Sequence, residues 1–231
     1  MIEDASMRER AGKIISGAVK EGWVVEPLAR DVLVDYGLPV SRFAWVRTPA
    51  DAMAAAEGIG FPVVMKVVSP KVMHKSDVGG VAVGLKDEAS VKAAFDRMSK
   101  IAGFDGVLVD QMVKGVEMIV GAKQDSQFGT VVLAGIGGTA VEVYKDVVIR
   151  MAPLGEEAAK SALLSLKGVA LLKGHRGASP ANLESIAALV SKFSEAAHDL
   201  APAIDSIDLN PVMCGPDRAV IADARMVLAA R

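Results

Sequence analysis

Cysteine and aromatic residues are scarce in this chain of 231 residues, which has one cysteine, Cys214, and an aromatic content of 4%. A lone cysteine excludes an internal disulfide, and without a paired histidine it gives no support for a nucleophilic thiol. We therefore expect Cys214 to be a small apolar residue near a strand end. Few aromatic side chains leave little surface on which nucleic-acid bases could stack.

The sequence also lacks a long apolar run and an excess of basic charge. No stretch reaches the roughly 18 uninterrupted apolar residues of a membrane span, and the first residues are polar where a secretory signal needs an apolar run. Lys and Arg number 26 against 28 Asp and Glu, and no basic stripe is present that could follow a phosphate backbone. We expect a cytoplasmic globular protein whose partners include neither a membrane nor a nucleic acid.

Apolar residues make up 52% of the chain, which is enough for a sizeable core, and strand and helix patterns alternate along it. Strands predicted at 107–113 and 116–122 flank Lys114 and Gly115, which predicts a β-hairpin. Because antiparallel pairs of this kind break strict βαβ order, we expect an α+β fold rather than a doubly wound parallel sheet.

A polar loop with residue types that suit phosphate follows a predicted buried strand. Lys66 stands at the end of that strand, His74 lies within the loop, and Gly79 with Gly80 ends it. A lysine gives a point charge for phosphate oxygens, and two glycines let backbone N–H groups approach an anion closely. Each residue alone would fit an ordinary surface loop, so the prediction rests on the cluster.

Two further constellations lie later in the chain. Gly137 and Gly138 belong to a Gly-rich turn after a strand, but the turn lacks the full spacing of the Walker A and dinucleotide motifs. Asp208 and Asn210 are two residues apart on a predicted strand, so they share one face and can converge with Asp223 on a hard cation such as Mg²⁺. An Asn-Pro pair at a strand end is also a common turn.

The order of these motifs is similar to that of a known family. The segments that carry the similarity are Phe61–Lys66, His74–Gly80, Gln127–Gly129, Gly137–Asp146, Arg150–Pro153, Leu172–Gly177 and Ile207–Pro211. Together they resemble the ATP-grasp β subunit of ADP-forming acetyl-CoA and acyl-CoA synthetases, which are related to succinyl-CoA synthetase, from about Glu26 to the end of the chain. The resemblance implies one ATP-grasp domain over 1–231, with two α/β subdomains that clasp a nucleotide. A boundary signal near Gly103–Gly106 predicts subdomains of roughly 1–105 and 106–231.

The resemblance implies which residues hold the nucleotide. Lys66 would meet the phosphates of ATP or ADP, and Glu117 would face the ribose. The strand end at Gln111, Met112 and Val113 would face adenine through its backbone. The two glycine pairs described above would form the phosphate loops.

The resemblance implies a metal, a phosphoryl carrier and a partner as well. Asn210 and Asp223 match the Mg²⁺ positions of the relatives, and Asp208 matches an acidic residue thought to steady a phosphohistidine. The family reaction converts ATP, a carboxylate and CoA into ADP, phosphate and acyl-CoA through an acyl phosphate and phosphohistidine intermediates. A CoA-binding α subunit is the implied partner, in an α2β2 assembly. His74 would shuttle the phosphoryl group, since a neutral imidazole nitrogen is a nucleophile at neutral pH.

Two other functions stay open at this point. A stand-alone ATP-grasp carboxylate ligase would work without a partner, but it gives His74 no purpose. A noncatalytic nucleotide-binding regulatory subunit would use ADP to regulate a partner. Loss of Lys66, Asn210 or Asp223 would favour that function, and all three residues are present.

Overall fold

The computed structural model describes residues 2–138, 146–174 and 179–230. Two of the motifs quoted above lie partly outside the described residues, at 139–145 and at 175–178.

The chain alternates between helices and strands along the described residues. The helices are α1 (Ile2–Gly17), α2 (Glu26–Asp35), α3 (Pro49–Ile59), α4 (Glu88–Met98), α5 (Glu156–Leu164), α6 (Val169–Leu172) and α7 (Leu183–Leu200). The strands are β1 (Trp23–Val24), β2 (Phe43–Val46), β3 (Val63–Val67), β4 (Val81–Leu85), β5 (Val107–Gln111), β6 (Val116–Asp125), β7 (Gly129–Ile136), β8 (Val147–Met151), β9 (Ile204–Cys214), β10 (Ala219–Ile221) and β11 (Arg225–Leu228).

Side-chain caps fix where several helices begin. Thr48 accepts the backbone N–H of Asp51 at 3.1 Å, so one of the orphan amides at the start of α3 is bonded. Asp87 and Ser90 form a capping box at the start of α4. In the part of the chain that the structure describes, no helix is both long enough and apolar enough to span a membrane.

The smaller of two compact units, Ser41–Val113, is built on a four-stranded antiparallel sheet in the order β2-β5-β3-β4. Helices α3 and α4 pack against each other and against this sheet. The core of the unit consists of Ala52, Ala56, Val63, Met65, Val67, Val91, Ala94, Phe95, Met98, Val107 and Val109. The many valines suit strands, because a β-branched side chain packs well on a pleated surface.

The larger unit, Met1–Val40 with Lys114–Arg231, is built on a seven-stranded sheet. The strands run in the order β1-β11-β9-β6-β7-β8, with β10 paired to β9, and α7 packs against β6, β7 and β9. Side chains alternate along β9, so Ile207 and Leu209 join the core while Asp208 and Asn210 lie on the opposite face. The described strand pairs of both units are antiparallel, which confirms the predicted α+β class.

The predicted hairpin around Lys114 and Gly115 is wrong. Strand β5 pairs with β2 and β3 of the smaller unit, whereas β6 pairs with β7 and β9 of the larger unit. Two strands separated by a short link give the same sequence pattern whether they pair with each other or enter different sheets. Here the pairing of β5 and β6 with strands distant in sequence places them in different sheets.

The division of the chain also differs from the predicted subdomains of roughly 1–105 and 106–231. Strand β1 pairs with β11, so the first forty residues belong to the larger unit. Strand β5 lies between β2 and β3, which places it inside the smaller unit. Both differences arise from pairing between strands far apart in sequence, which no local composition change marks.

Candidate functional site

Lys66 lies near the end of β3 in the smaller unit, and its side chain is 8% exposed. Its Nζ atom is 3.6 Å from Oδ2 of Asp110, a residue of the neighbouring strand β5. The other oxygen of that carboxylate, Oδ1, accepts a hydrogen bond of 2.7 Å from the hydroxyl of Ser41. The predicted phosphate-binding lysine is therefore a buried cation held beside a buried carboxylate, an arrangement that sequence analysis missed.

His74 lies exposed in the loop that joins β3 to β4. The loop was expected to hold neither helix nor strand, but it contains a 3-10 turn at Ser76–Val78. The base of the loop is fixed, because the Gly80 N–H donates to the Lys75 carbonyl and the Gly80 carbonyl accepts from the Val67 N–H, both at 2.8 Å. An exposed imidazole on an anchored loop is accessible to a reacting group.

Each glycine at the end of this loop has a structural reason. Gly79 has a φ of +66°, which favours glycine, and a Cβ at Gly80 would lie 2.5 Å from Cγ1 of Val67. The N–H groups of Gly79 and Gly80 donate to the carbonyls of Ser76 and Lys75. In this conformation both N–H groups are engaged within the loop, so the turn accounts for the glycines without an anion.

The predicted adenine-facing segment straddles the end of β5. The Gln111 N–H donates to the Arg42 carbonyl at 2.9 Å, so this amide belongs to the sheet. Met112 and Val113 follow the strand and take no part in its ladder within the described residues. Of the three residues, Met112 and Val113 therefore lie beyond the strand, and their contact with adenine stays a prediction.

The structure brings Glu117, Gly137 and Gly138 together in the larger unit. The Gly137 N–H donates to the Glu117 carbonyl at 2.7 Å, and a Cβ at Gly137 would lie 2.9 Å from that carbonyl carbon and oxygen. Gly138 has a φ of +73°, and a Cβ there would lie 3.3 Å from Oε2 of Glu117. The exposed Glu117 carboxylate therefore lies against a glycine turn, and no sequence pattern indicated this contact.

Asp208 and Asn210 lie on β9 of the larger unit, and Asp223 lies in the short link between β10 and β11. Asp208 on β9 is paired with Arg225 on β11, and the Ala222 N–H donates to the Pro211 carbonyl at 3.0 Å. Asn210 and Asp223 lie between these two points of attachment. This backbone arrangement brings the three residues to one region of the larger unit, and the convergence of their side chains on a cation stays a prediction.

The bond between Asn210 and Pro211 coincides with an irregularity of the sheet. Val120 is paired with Leu209 and Met118 with Val212, so two residues of β9 oppose one residue of β6. This is the arrangement of a β-bulge, which re-aims side chains and is common beside active sites. The Asn-Pro pair was expected to be a metal position or a common turn, and it is found at a bulge within a continuous strand.

Cys214 is the last residue of β9 and is buried, as predicted. Burial raises the pKa of its thiol to about 12. The thiol is therefore protonated at neutral pH, which removes it from the set of candidate nucleophiles.

A comparison with protein-family models gives a match to the ATP-grasp domain over residues 17–228. The chain belongs to the ATP-grasp family. The β subunit of ADP-forming acetate–CoA ligase I from Pyrococcus furiosus is 40% identical to it over 228 residues, which are 95% of this chain and 98% of that protein. The predicted relationship to the β subunits of ADP-forming acyl-CoA synthetases is thus confirmed.

Another relative of this ATP-grasp chain carries the same region within a longer protein. ADP-forming acetate–CoA ligase I from Archaeoglobus fulgidus is 41% identical over 229 residues, which are 96% of this chain but 33% of that protein. The chain therefore spans about one third of the ligase from Archaeoglobus fulgidus and nearly all of the β subunit from Pyrococcus furiosus.

A solved structure supports the fold of the ATP-grasp chain. An acetyl-coenzyme A synthetase 1 from Candidatus Korarchaeum cryptofilum has a TM-score of 0.82 and 34% identity, with 95% of this chain and 100% of that chain covered. That structure is a complex with coenzyme A and Mg-AMPPCP, and its phosphohistidine segment points towards the nucleotide binding site. The predicted ATP-grasp fold is confirmed.

The donor set of the ATP-grasp chain fits Mg²⁺ held jointly by protein and phosphate. Within the described residues, no group of three or more His, Cys, Asp or Glu side chains could hold a metal by itself. Mg²⁺ commonly takes one or two carboxylates from protein and its remaining oxygens from phosphates and water. Asn210 and Asp223 offer an amide and a carboxylate oxygen of that kind.

Proposed function

We propose that this chain is the nucleotide-binding, phosphoryl-transferring subunit of an ADP-forming acyl-CoA ligase. The observation that carries the proposal is the exposed His74 on an anchored loop that starts directly after the strand of Lys66. The correspondence with a whole β subunit from Pyrococcus furiosus supports the same function.

The first half of the reaction takes place on His74. An unprotonated ring nitrogen attacks the terminal phosphorus of ATP, the new N–P bond forms, and the P–O bond to ADP breaks so that ADP leaves with the electron pair. In the second half the phosphoryl group leaves the ring for its acceptor and His74 is regenerated. The carboxylate substrate then receives the phosphoryl group as an acyl phosphate, and CoA displaces phosphate to give acyl-CoA.

Lys66 and a Mg²⁺ ion held by Asn210 and Asp223 would neutralise the negative charge of the nucleotide phosphates. Lys66 would place its ammonium beside the nucleotide phosphates, where it offsets the negative charge that gathers on the leaving ADP. Bound Mg²⁺ would supply further neutralisation of phosphate charge, with Asn210 and Asp223 as its protein ligands. Glu117 would accept hydrogen bonds from the ribose hydroxyls.

Asp208 would steady a phosphohistidine. When one nitrogen of a neutral imidazole bonds to phosphorus, the ring takes on positive charge and the N–H of its other nitrogen becomes a stronger donor. A carboxylate that accepts this N–H stabilises the charge and fixes the ring orientation. Asp208 has the chemistry and the partial exposure for that role.

The partner would be a CoA-binding α subunit, in an α2β2 assembly. About two thirds of the ligase from Archaeoglobus fulgidus lies outside the part that this chain matches, which leaves room in that protein for CoA binding. The α2β2 stoichiometry and a cytoplasmic location belong to the proposal.

The test compares the purified chain alone with the chain plus a CoA-binding subunit that co-purifies from the native host. The isolated chain should bind ADP and ATP with Mg²⁺ but form no acyl-CoA from ATP, acetate and CoA. Addition of the partner should start acyl-CoA formation. Steady acyl-CoA formation by the chain alone would instead support a stand-alone ligase, and nucleotide binding without turnover in the complex would support a regulatory subunit.

A further inference from the structure

The surroundings of Asp208 differ on its two sides. On β9, Asp208 is paired with Arg225 of β11 on one side and with Gly121 of β6 on the other. One neighbour has the longest cationic side chain and the other has no side chain. The carboxylate is therefore held from one side and open from the other.

Arg225 binds a single oxygen of this carboxylate. Its Nε atom lies 3.2 Å and its Nη2 atom 2.5 Å from Oδ2 of Asp208. Two donors of a planar guanidinium on one oxygen limit rotation of the carboxylate. The two side chains are 34% and 36% exposed, and an ion pair with that exposure contributes little to stability. The arrangement therefore orients Asp208 more than it stabilises the fold.

The second oxygen, Oδ1, is turned towards β6. Within the described part of the chain it accepts no hydrogen bond, and it lies 3.5 Å from the position that a Cβ would take at Gly121. The φ of Gly121 lies outside the left-handed region, so backbone conformation does not require glycine there. An alanine would fit in ordinary contact, but its methyl group would lie about 3.5 Å from Oδ1 and cover that side of the oxygen.

We propose that Arg225 is a positioning residue for Asp208 and that Gly121 keeps Oδ1 accessible, so that Oδ1 accepts the ring N–H of a phosphohistidine. This inference rests on the proposed function. It adds a separate role for each carboxylate oxygen of Asp208. Oδ2 is fixed by Arg225, and Oδ1 stays accessible to the phosphohistidine.

Arg225 could instead contact the phosphoryl group itself, and a double-mutant cycle separates the two roles. If Arg225 acts through Asp208, its removal has no further effect once Asp208 has been replaced. If Arg225 contacts the phosphoryl group independently, the two losses multiply.

The experiment uses the assembled complex and measures two quantities. One is the affinity for ADP with Mg²⁺, and the other is the single-turnover rate at which phosphate from labelled ATP enters an acid-labile, alkali-stable linkage on the protein. We expect Arg225→Ala to lower that rate on the order of 10- to 100-fold, because a misplaced group costs rate rather than binding. ADP affinity should stay within twofold of wild type, which also shows that the variant is folded.

Further variants test the roles of Asp208, Arg225 and Gly121 and supply a control. Arg225→Ala should cause no additional loss in an Asp208→Ala background, and Arg225→Lys should recover part of the rate because it keeps one charged donor. Gly121→Val should lower the rate more than Gly121→Ala. Arg47→Ala is the matched control, since Arg47 forms an exposed pair with Asp105, with Nε 3.0 Å from Oδ1, in the smaller unit.

Wild-type labelling with a normal rate for Arg225→Ala would overturn the inference and leave the proposed function standing. If the fold losses in labelling rate of Asp208→Ala and Arg225→Ala multiply in the double variant, the positioning role is overturned in favour of direct contact between Arg225 and the phosphoryl group. A complex in which wild type never carries histidine-bound phosphate would overturn the proposed function, and the inference with it.

Discussion

The Nζ atom of Lys66 lies 3.6 Å from Oδ2 of Asp110, and both side chains are almost completely buried. Removal of one member of a buried ion pair leaves an uncompensated charge, whereas replacement of both members is tolerated far better. Lys66 therefore has a structural task beside its proposed contact with phosphate. A single substitution cannot separate the two.

Paired substitutions at Lys66 and Asp110 separate stability from nucleotide binding. We expect Lys66→Met to lower the free energy of unfolding by about 3 kcal/mol, because the Asp110 carboxylate stays buried without its cation. Adding Asp110→Asn should restore most of that loss, since the amide can still accept from Ser41 without carrying a charge. Urea unfolding measures the first effect, and titration calorimetry with Mg-ATP measures binding, which should stay weak in both variants. Normal ATP affinity in the stable double variant would mean that Lys66 does not contact the nucleotide.

Asp223 is predicted to bind nucleotide through the metal. We expect Asp223→Ala to weaken binding of ADP in the presence of Mg²⁺ by about tenfold or more, with a much smaller change in EDTA, because the removed carboxylate is a proposed ligand of the metal. Asp217→Ala is the matched control, since Asp217 is an exposed carboxylate in the turn between β9 and β10. An equal loss with and without metal would point to a structural role for Asp223.

Gly137 is predicted to tolerate no side chain. A Cβ there would lie 2.9 Å from the Glu117 carbonyl, which is backbone and cannot move aside cheaply. We expect Gly137→Ala to cost about 1–3 kcal/mol of stability through overpacking and to weaken ATP binding by displacing Glu117. Gly155→Ala serves as the control, because nothing lies within 4 Å of a Cβ at that position. Thermal unfolding with and without Mg-ATP measures both effects, and equal stability of the two variants would contradict the prediction.

Local patterns allowed the strands and the α+β class to be predicted, but not which strands pair. Alternation on β9 correctly placed Asp208 and Asn210 on one face, because the period of a strand is a local property. The link at Lys114 and Gly115 was mistaken for a hairpin, because pairing of β5 with β2 and β3 depends on contacts distant in sequence. Propensity and turn chemistry carry no information about such contacts.

The same limit applies to the site. Lys66 could be chosen from its place at a strand end, but its partner Asp110 comes from another strand, β5, and no sequence pattern connects the two residues. Arg225 follows Asp223 by two residues, and nothing in the sequence connects it with Asp208 until the register of β9 and β11 is known. Residue types were predictable from motifs, whereas their pairwise contacts required the fold.

His74 is predicted to carry a phosphoryl group during turnover. In the assembled complex, we expect His74→Ala to leave ADP affinity nearly unchanged while net acyl-CoA formation stops, because the nucleotide residues stay in place and only the carrier is lost. Calorimetry and a coupled assay for acyl-CoA give the two readouts. His198→Ala is the matched control, since His198 is also exposed but lies on α7.

The chemistry of the linkage gives an independent check on His74. Phosphate transferred from labelled ATP should be lost in acid and retained in alkali if it is on a histidine, whereas phosphate on the neighbouring Ser76 would behave in the opposite way. The label should disappear in His74→Ala and persist in Ser76→Ala. If the label never appears on His74 with the partner present, or if His74→Ala turns over at the wild-type rate, then no phosphohistidine on this loop takes part in the reaction. Direct phosphorylation of the carboxylate at a single site, as in a stand-alone ligase, would then be the better account of the chain.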